Sequence, residues 1–163
     1  LILGIAGGLG FAGGGFVADR LGRRNQRHAL WGVSVATIFA WLFIFPVYLV
    51  GSWGLSLTFF VIPAIFSNFY LATTFAQTQG LVGFRMRGVA SALMLFILNI
   101  IGLGMGPQVT GILSDLLAAD FGQDSMRYAL LIVGSVVGPW SAYHYYRAGR
   151  TIEADLALAH DQD

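Results

Sequence analysis

Gly15-Phe16-Val17-Ala18-Asp19-Arg20-Leu21-Gly22-Arg23-Arg24 ends an apolar run in a dense, patterned cluster of charge. Upstream, Leu1 to Val17 carries no charged side chain but has Gly4, Gly7, Gly8, Gly10, Gly13, Gly14 and Gly15. In water each glycine would weaken a helix by about 1 kcal/mol. In a bilayer the backbone must satisfy its own hydrogen bonds, so helix is the expected conformation, and Gly4 with Gly8, or Gly10 with Gly14, offers a face for close packing. The abrupt change to charge marks a membrane surface. Gly15 lets two helices approach as the chain leaves the bilayer, Gly22 is expected to supply positive φ in a short turn, and Asp19 with the arginines is expected to form a compact ionic latch. Arginines behind an apolar helix also simply set topology, but two glycines, one acid and three arginines at fixed spacing ask for more than that.

Composition agrees with a bilayer. Of 163 residues 56% are hydrophobic and only 10% charged, whereas a soluble domain carries about a quarter charged residues. An all-α integral membrane protein is the expected class. The net charge of +1 comes from arginines spread among loops rather than gathered on one surface, so no nucleic-acid partner is expected. Zero cysteines exclude disulfides and thiolate metal sites. His28, His144 and His160 have no ligand spacing with the scattered acids, so no metal, cofactor or enzymatic activity is expected. The chain begins at Leu1 with no basic leader and is read as a fragment.

After His28 no charged residue occurs until Arg85, far more than the roughly 20 residues one crossing needs. That span predicts two helices, over about 29–50 and 55–81, broken at Gly51-Ser52-Trp53-Gly54. The first, rich in Trp31, Phe39, Trp41, Phe43 and Phe45, is expected to face lipid. In the second, Ser67, Tyr70, Thr74 and Gln77 share one face, where they either bond to neighbouring helices or line a wet cavity, and Pro63 is expected to kink the rod. Two further helices are expected over about 88–115 and 127–147. Gly102 and Gly106 offer a small-x-x-x-small contact, Asn99 either ties helices or touches cargo, and Pro107 bends the rod. Residues 148–163 read as a polar tail, helical at first and then disordered.

The loop pattern filled by Gly15, Asp19, Arg20, Gly22, Arg23 and Arg24 resembles the loop that joins paired helices in the major facilitator superfamily of secondary transporters. Arg87-Gly88-Val89-Ala90-Ser91-Ala92, Asn99 to Gly102, Gly104 to Pro107 and Gly111 to Asp115 look like the eleventh helix of spinster-like members. The resemblance implies helices eight to twelve of a twelve-helix fold, with the N-terminal half missing. Helices two to six are the other placement. Against it, residues 55–81 lack the arginine usual in the fourth helix, and an acidic tail follows the last crossing.

Arg20, Arg23, Arg24, Arg27, Arg85, Arg87, Arg147 and Arg150 fall on one side of the expected topology and Arg127 on the other. The arginine-rich side and the C-terminus are therefore expected in the cytoplasm, with the chain multi-pass in a plasma (inner) membrane. The expected function is secondary active transport of a small organic or lipid-like solute by alternating access. The candidate pathway is Ser67, Tyr70, Thr74, Gln77 and Asn99, and the charged loop is the conformational latch. Its partners would be the solute, the bilayer and the missing half. The alternative is a small non-transporting membrane subunit that oligomerises through glycine-rich faces.

Overall fold

A computed structural model describes residues 2–23 and 25–160, almost all of them helical. Leu1, Arg24 and residues 161–163 lie outside the described residues, and with them one arginine of the charged motif and the acids Asp161 and Asp163 of the tail.

Helix α1 (Ile2–Gly22) runs through the charged motif instead of stopping at Val17. Among the described residues the one glycine at positive φ is Gly122, so Gly22 does not take the conformation the sequence suggests; it is simply the last residue of the helix. The turn falls at Arg23 and Asn25. Asn25 caps α2 (Gln26–Leu49) by accepting the Arg27 N–H on its side-chain oxygen at 2.8 Å, which satisfies one of the orphan donors at a helix start.

Where the sequence predicts one helix kinked at Pro63, there are two: α3 (Trp53–Phe66) and α4 (Phe69–Gly80). Pro63 sits inside α3, and the interruption falls at Ser67 and Asn68. The Asn68 N–H tightens onto the Ile65 carbonyl at 3.3 Å, and the Asn68 side-chain amide donates to the Ala64 carbonyl at 3.0 Å. Short polar side chains compete for helix carbonyls in this way. The interruption fits a notch on α1: a Cβ on Gly14 would stand 2.7 Å from Phe69 Cα, and one on Gly10 2.9 Å from the Ile65 carbonyl carbon. Gly10 and Gly14 therefore act as the close-packing pair, whereas Gly4 and Gly8 meet nothing within 4 Å.

The next rod begins with a 3₁₀ turn at Phe84–Met86 and continues as α5 (Arg87–Ile97), a π-helical segment (Leu98–Met105) and α6 (Gly106–Phe121). Pro107 lies in the first turn of α6, where its missing N–H does no harm. The irregularity sits upstream of it. The Leu98 N–H is shared between the Met94 and Leu95 carbonyls, and the Asn99 amide donates to Leu95 at 2.7 Å. Gly102 and Gly106 have nothing within 4 Å, so the small-x-x-x-small contact is not made among the described residues. Gly122, at φ 53°, then reverses the chain.

The last helix, α7 (Ser125–His160), is 36 residues long and absorbs the expected tail as far as His160. It packs along α2, which also packs on α1 and α3. The α2 face buries Ala29, Val33, Ala36 and Ala40, while Gly134 and Gly138 of α7 receive Ile44 and Trp41. Ser34 donates to the Ala142 carbonyl at 2.7 Å, Trp31 to Tyr146 at 3.2 Å and Trp41 to Ser135 at 3.3 Å. The expectation that α2 faces lipid therefore describes one side of it, where Val35 is 69% exposed. The indoles on the other side tie it into the bundle.

Among the described residues three helical stretches are long and apolar enough, by length and composition, to cross a membrane: Gln26–Leu49, Trp53–Gly80 and Phe84–Ala159, the last of which doubles back at Gly122. One end of the bundle joins the C-terminal end of α4, the start of α2 and the end of α7 through Gln26–Gln77 and Arg27–Glu153 contacts. At the other end the Arg127 guanidinium donates to the Tyr48 carbonyl.

Candidate functional site

Gly15 to Gly22 of the charged motif lie on the last two turns of α1, so these residues divide by face. Gly15, Asp19 and Gly22 line a cavity of about 470 Å³ between the ends of α1, α2 and α4, Arg20 lines a separate recess beside Phe16 and His28, and Arg23, just past the helix, borders both. Spacings of three, four and seven residues place the first group on one stripe. Among the described residues Asp19 belongs to no ion pair; the pairs present are Arg27–Glu153 and Asp124–Arg127. The latch expected within the motif is thus not closed among the described residues. Asp19 on α1 and Arg23 just beyond its end instead border the cavity.

The opposite wall is α4. Thr73 is 1% exposed and its hydroxyl has no hydrogen-bond partner among the described residues. Gln77, nearly buried, donates from its amide to the Gln26 side-chain oxygen at 2.7 Å. A buried hydroxyl without a partner is costly to keep, and here it borders the cavity that also holds Asp19 and Arg23.

A second cavity, of about 500 Å³, lies between α2, α4 and α7, and Gln77 borders both. Its walls include Thr74, Thr78, Trp140, His144 and Tyr145, with Leu30 and Ile152. The Thr74 hydroxyl donates to the Tyr70 carbonyl at 2.6 Å and stands 2.7 Å from the Tyr145 hydroxyl. His144 is edge-on to Trp140 and Tyr143, at ring separations of 4.8 and 5.5 Å. Among the described residues no carboxylate borders this cavity. Its mix of aromatic walls and a few convergent polar groups suits an organic molecule with a large apolar body.

Of the residues the sequence proposes as a pathway, the structure brings Thr74 and Gln77 to one cavity. Tyr70 borders neither of the two, Ser67 is exposed at the interruption before α4, and Asn99 is exposed on the π segment with its amide bonded to its own helix. The interruption between α3 and α4 removes Ser67 from the stripe, so the helical periodicity holds only from Tyr70 onward. Sequence reasoning passes over Gln26, Thr73 and Tyr145, which complete these walls. A signal was present for the α2–α7 seam, where Gly134, Gly138 and Ala142 recur every fourth residue. Among the described residues no three His, Cys, Asp or Glu side chains gather as a metal site requires.

Apolar rods, outward-facing large side chains and polar groups tied between helices define the class: an all-α integral membrane protein. No family model matches the chain. Over 156 residues it is 32% identical to a protein described as an MFS-type efflux pump from Mycolicibacterium smegmatis (strain ATCC 700084 / mc(2)155). That match covers 96% of this chain and 36% of the relative, so the chain spans about a third of the length of the curated protein it resembles.

Proposed function

We propose that this chain is part of a major facilitator secondary transporter, similar to spinster-like members, and corresponds to helices eight to twelve of the C-terminal half. The observation that carries this reading is the likeness to an MFS-type efflux pump along 96% of the chain. The motif from Gly15 to Arg23 and the arginine-rich end of the bundle support it. In this reading α1, α2, the α3–α4 rod, the α5–α6 rod and α7 are five crossings, and the arginine-rich end with the C-terminus lies in the cytoplasm of a plasma (inner) membrane. Gly102 and Gly106, open on the fourth rod, form part of the face that meets the N-terminal half.

The mechanism is alternating access, in which two halves rock about a site near the bilayer midplane. Asp19, Arg20 and Arg23, with Arg24, latch against a helix of the missing half while the protein opens outward. The cargo is a small organic or lipid-like solute, in keeping with an aromatic cavity that no carboxylate borders among the described residues, and its candidate contacts are Thr74 and Gln77 in that cavity with Ser67, Tyr70 and Asn99 outside it.

The test uses the complete transporter in proteoliposomes, with uptake and cargo affinity measured for Tyr70→Phe, Gln77→Leu and Asp19→Asn. Loss of transport with Asp19→Asn at unchanged affinity, and weakened affinity with Gln77→Leu, is the expected result. Variants at Tyr70 and Gln77 that match the parent protein in both measurements would remove the pathway. A purified complete protein that moves no solute would favour the non-transporting subunit instead.

A further inference from the structure

The part of α7 beyond Arg147 has no role in the transporter reading, yet it is docked rather than free. Four successive contacts fix it. Gly149 lies against Trp31, so closely that a Cβ there would stand 2.6 Å from the indole nitrogen. Ile152 is 4% exposed and borders the aromatic cavity. Glu153 pairs with Arg27 at 3.3 Å, and the same guanidinium lies 5.7 Å from the centre of the Trp31 ring. Leu156 reaches Gly80, where a Cβ would be 3.3 Å away, and borders the cavity that holds Asp19, Arg23 and Thr73.

We propose that residues 148–160 are a strap that spans the ends of α2 and α4 and closes both cavities at the arginine-rich end, with Arg27–Glu153 as its release point. The asymmetry of the contacts supports a device that opens. Its apolar teeth, Ile152 and Leu156, enter the two cavities, whereas both partners of the ion pair are about 40% exposed, at 39% and 42%. Exposed ion pairs are weak and screened by salt, so the strap can lift without unfolding the α2–α7 seam. Its lifting uncovers Thr73 and Gln77, the polar wall of α4. The consequence for transport rests on the reading above, but the docking does not, and it is tested without any cargo.

The chain has no cysteine, so a Thr73→Cys reporter is the one thiol within it, and any cysteine elsewhere in the full-length protein is replaced by serine. Its rate of reaction with a membrane-impermeant maleimide is measured in inside-out vesicles. The expected result is a several-fold faster rate when Glu153→Arg is added, return towards the parent rate in the Arg27→Glu, Glu153→Arg double exchange, and a rise with added salt in the parent. An unchanged rate in Glu153→Arg, or no recovery in the exchanged pair, overturns the strap. Should the charge variants fail to insert, a Gly80→Cys, Leu156→Cys pair gives the answer separately. Rapid disulfide formation on mild oxidation is expected, and failure to form it overturns the docking.

Discussion

At Gly14 a single methyl group decides whether two helices can meet, because the atom it would strike is backbone and cannot turn aside. Gly14→Ala places a Cβ 2.7 Å from Phe69 Cα, and overpacking of this kind costs about 1–3 kcal/mol. Gly8→Ala meets open space and should change stability by no more than about 0.5 kcal/mol. Thermal unfolding of both variants in the same detergent measures the difference, and equal midpoints would mean that α1 does not seat on α4 as described. Tyr145 poses a gentler question. Its hydroxyl lies 2.7 Å from that of Thr74, and interhelical hydrogen bonds in membranes average about 0.6 kcal/mol. Tyr145→Phe should therefore lower stability slightly, while a double-mutant cycle with Thr74→Val shows coupling of the same size.

The α3–α4 rod shows how a short polar side chain can do what a proline does not. Pro63 stays within α3, and the helix gives way at Asn68, whose amide holds the Ala64 carbonyl. Asn68→Ala removes that bond at a cost of about 1 kcal/mol. Amide hydrogen exchange at residues 67–69 should then speed up relative to the middle of α4, and unchanged protection would assign the interruption to the α1 notch alone. In the next rod Asn99 plays a similar part at the entry to the π segment, binding the Leu95 carbonyl that Leu98 already shares. π segments occur often at functional sites, and this one is followed directly by the Gly106-Pro107 start of α6.

For the molecule as a whole, the division of charge sets a testable topology. Cysteines placed at Arg23 and Arg150 should react with an impermeant reagent from the same side of the membrane, and one at Gln123 from the other. Labelling of the Arg23 and Arg150 positions from opposite sides would break both the topology and the transporter proposal. The contacts Gln26–Gln77 and Arg27–Glu153 already hold those two regions at one end of the bundle.

Composition and the spacing of charges were enough to mark an all-α, membrane-embedded chain, because that depends on local hydrophobicity and on backbone groups that lipid cannot satisfy. The site was only half legible. Thr74 and Gln77 could be read from helical periodicity, but their partners Tyr145 and Gln26 stand 71 and 51 residues away along the chain. Only tertiary packing decided that Gly10 and Gly14 rather than Gly4 and Gly8 seat a neighbour, that α1 continues into the charged motif as far as Gly22, and that the tail docks as a continuation of α7. Those outcomes depend on which surfaces meet across the bundle, and a one-dimensional pattern of polarity does not contain that distance.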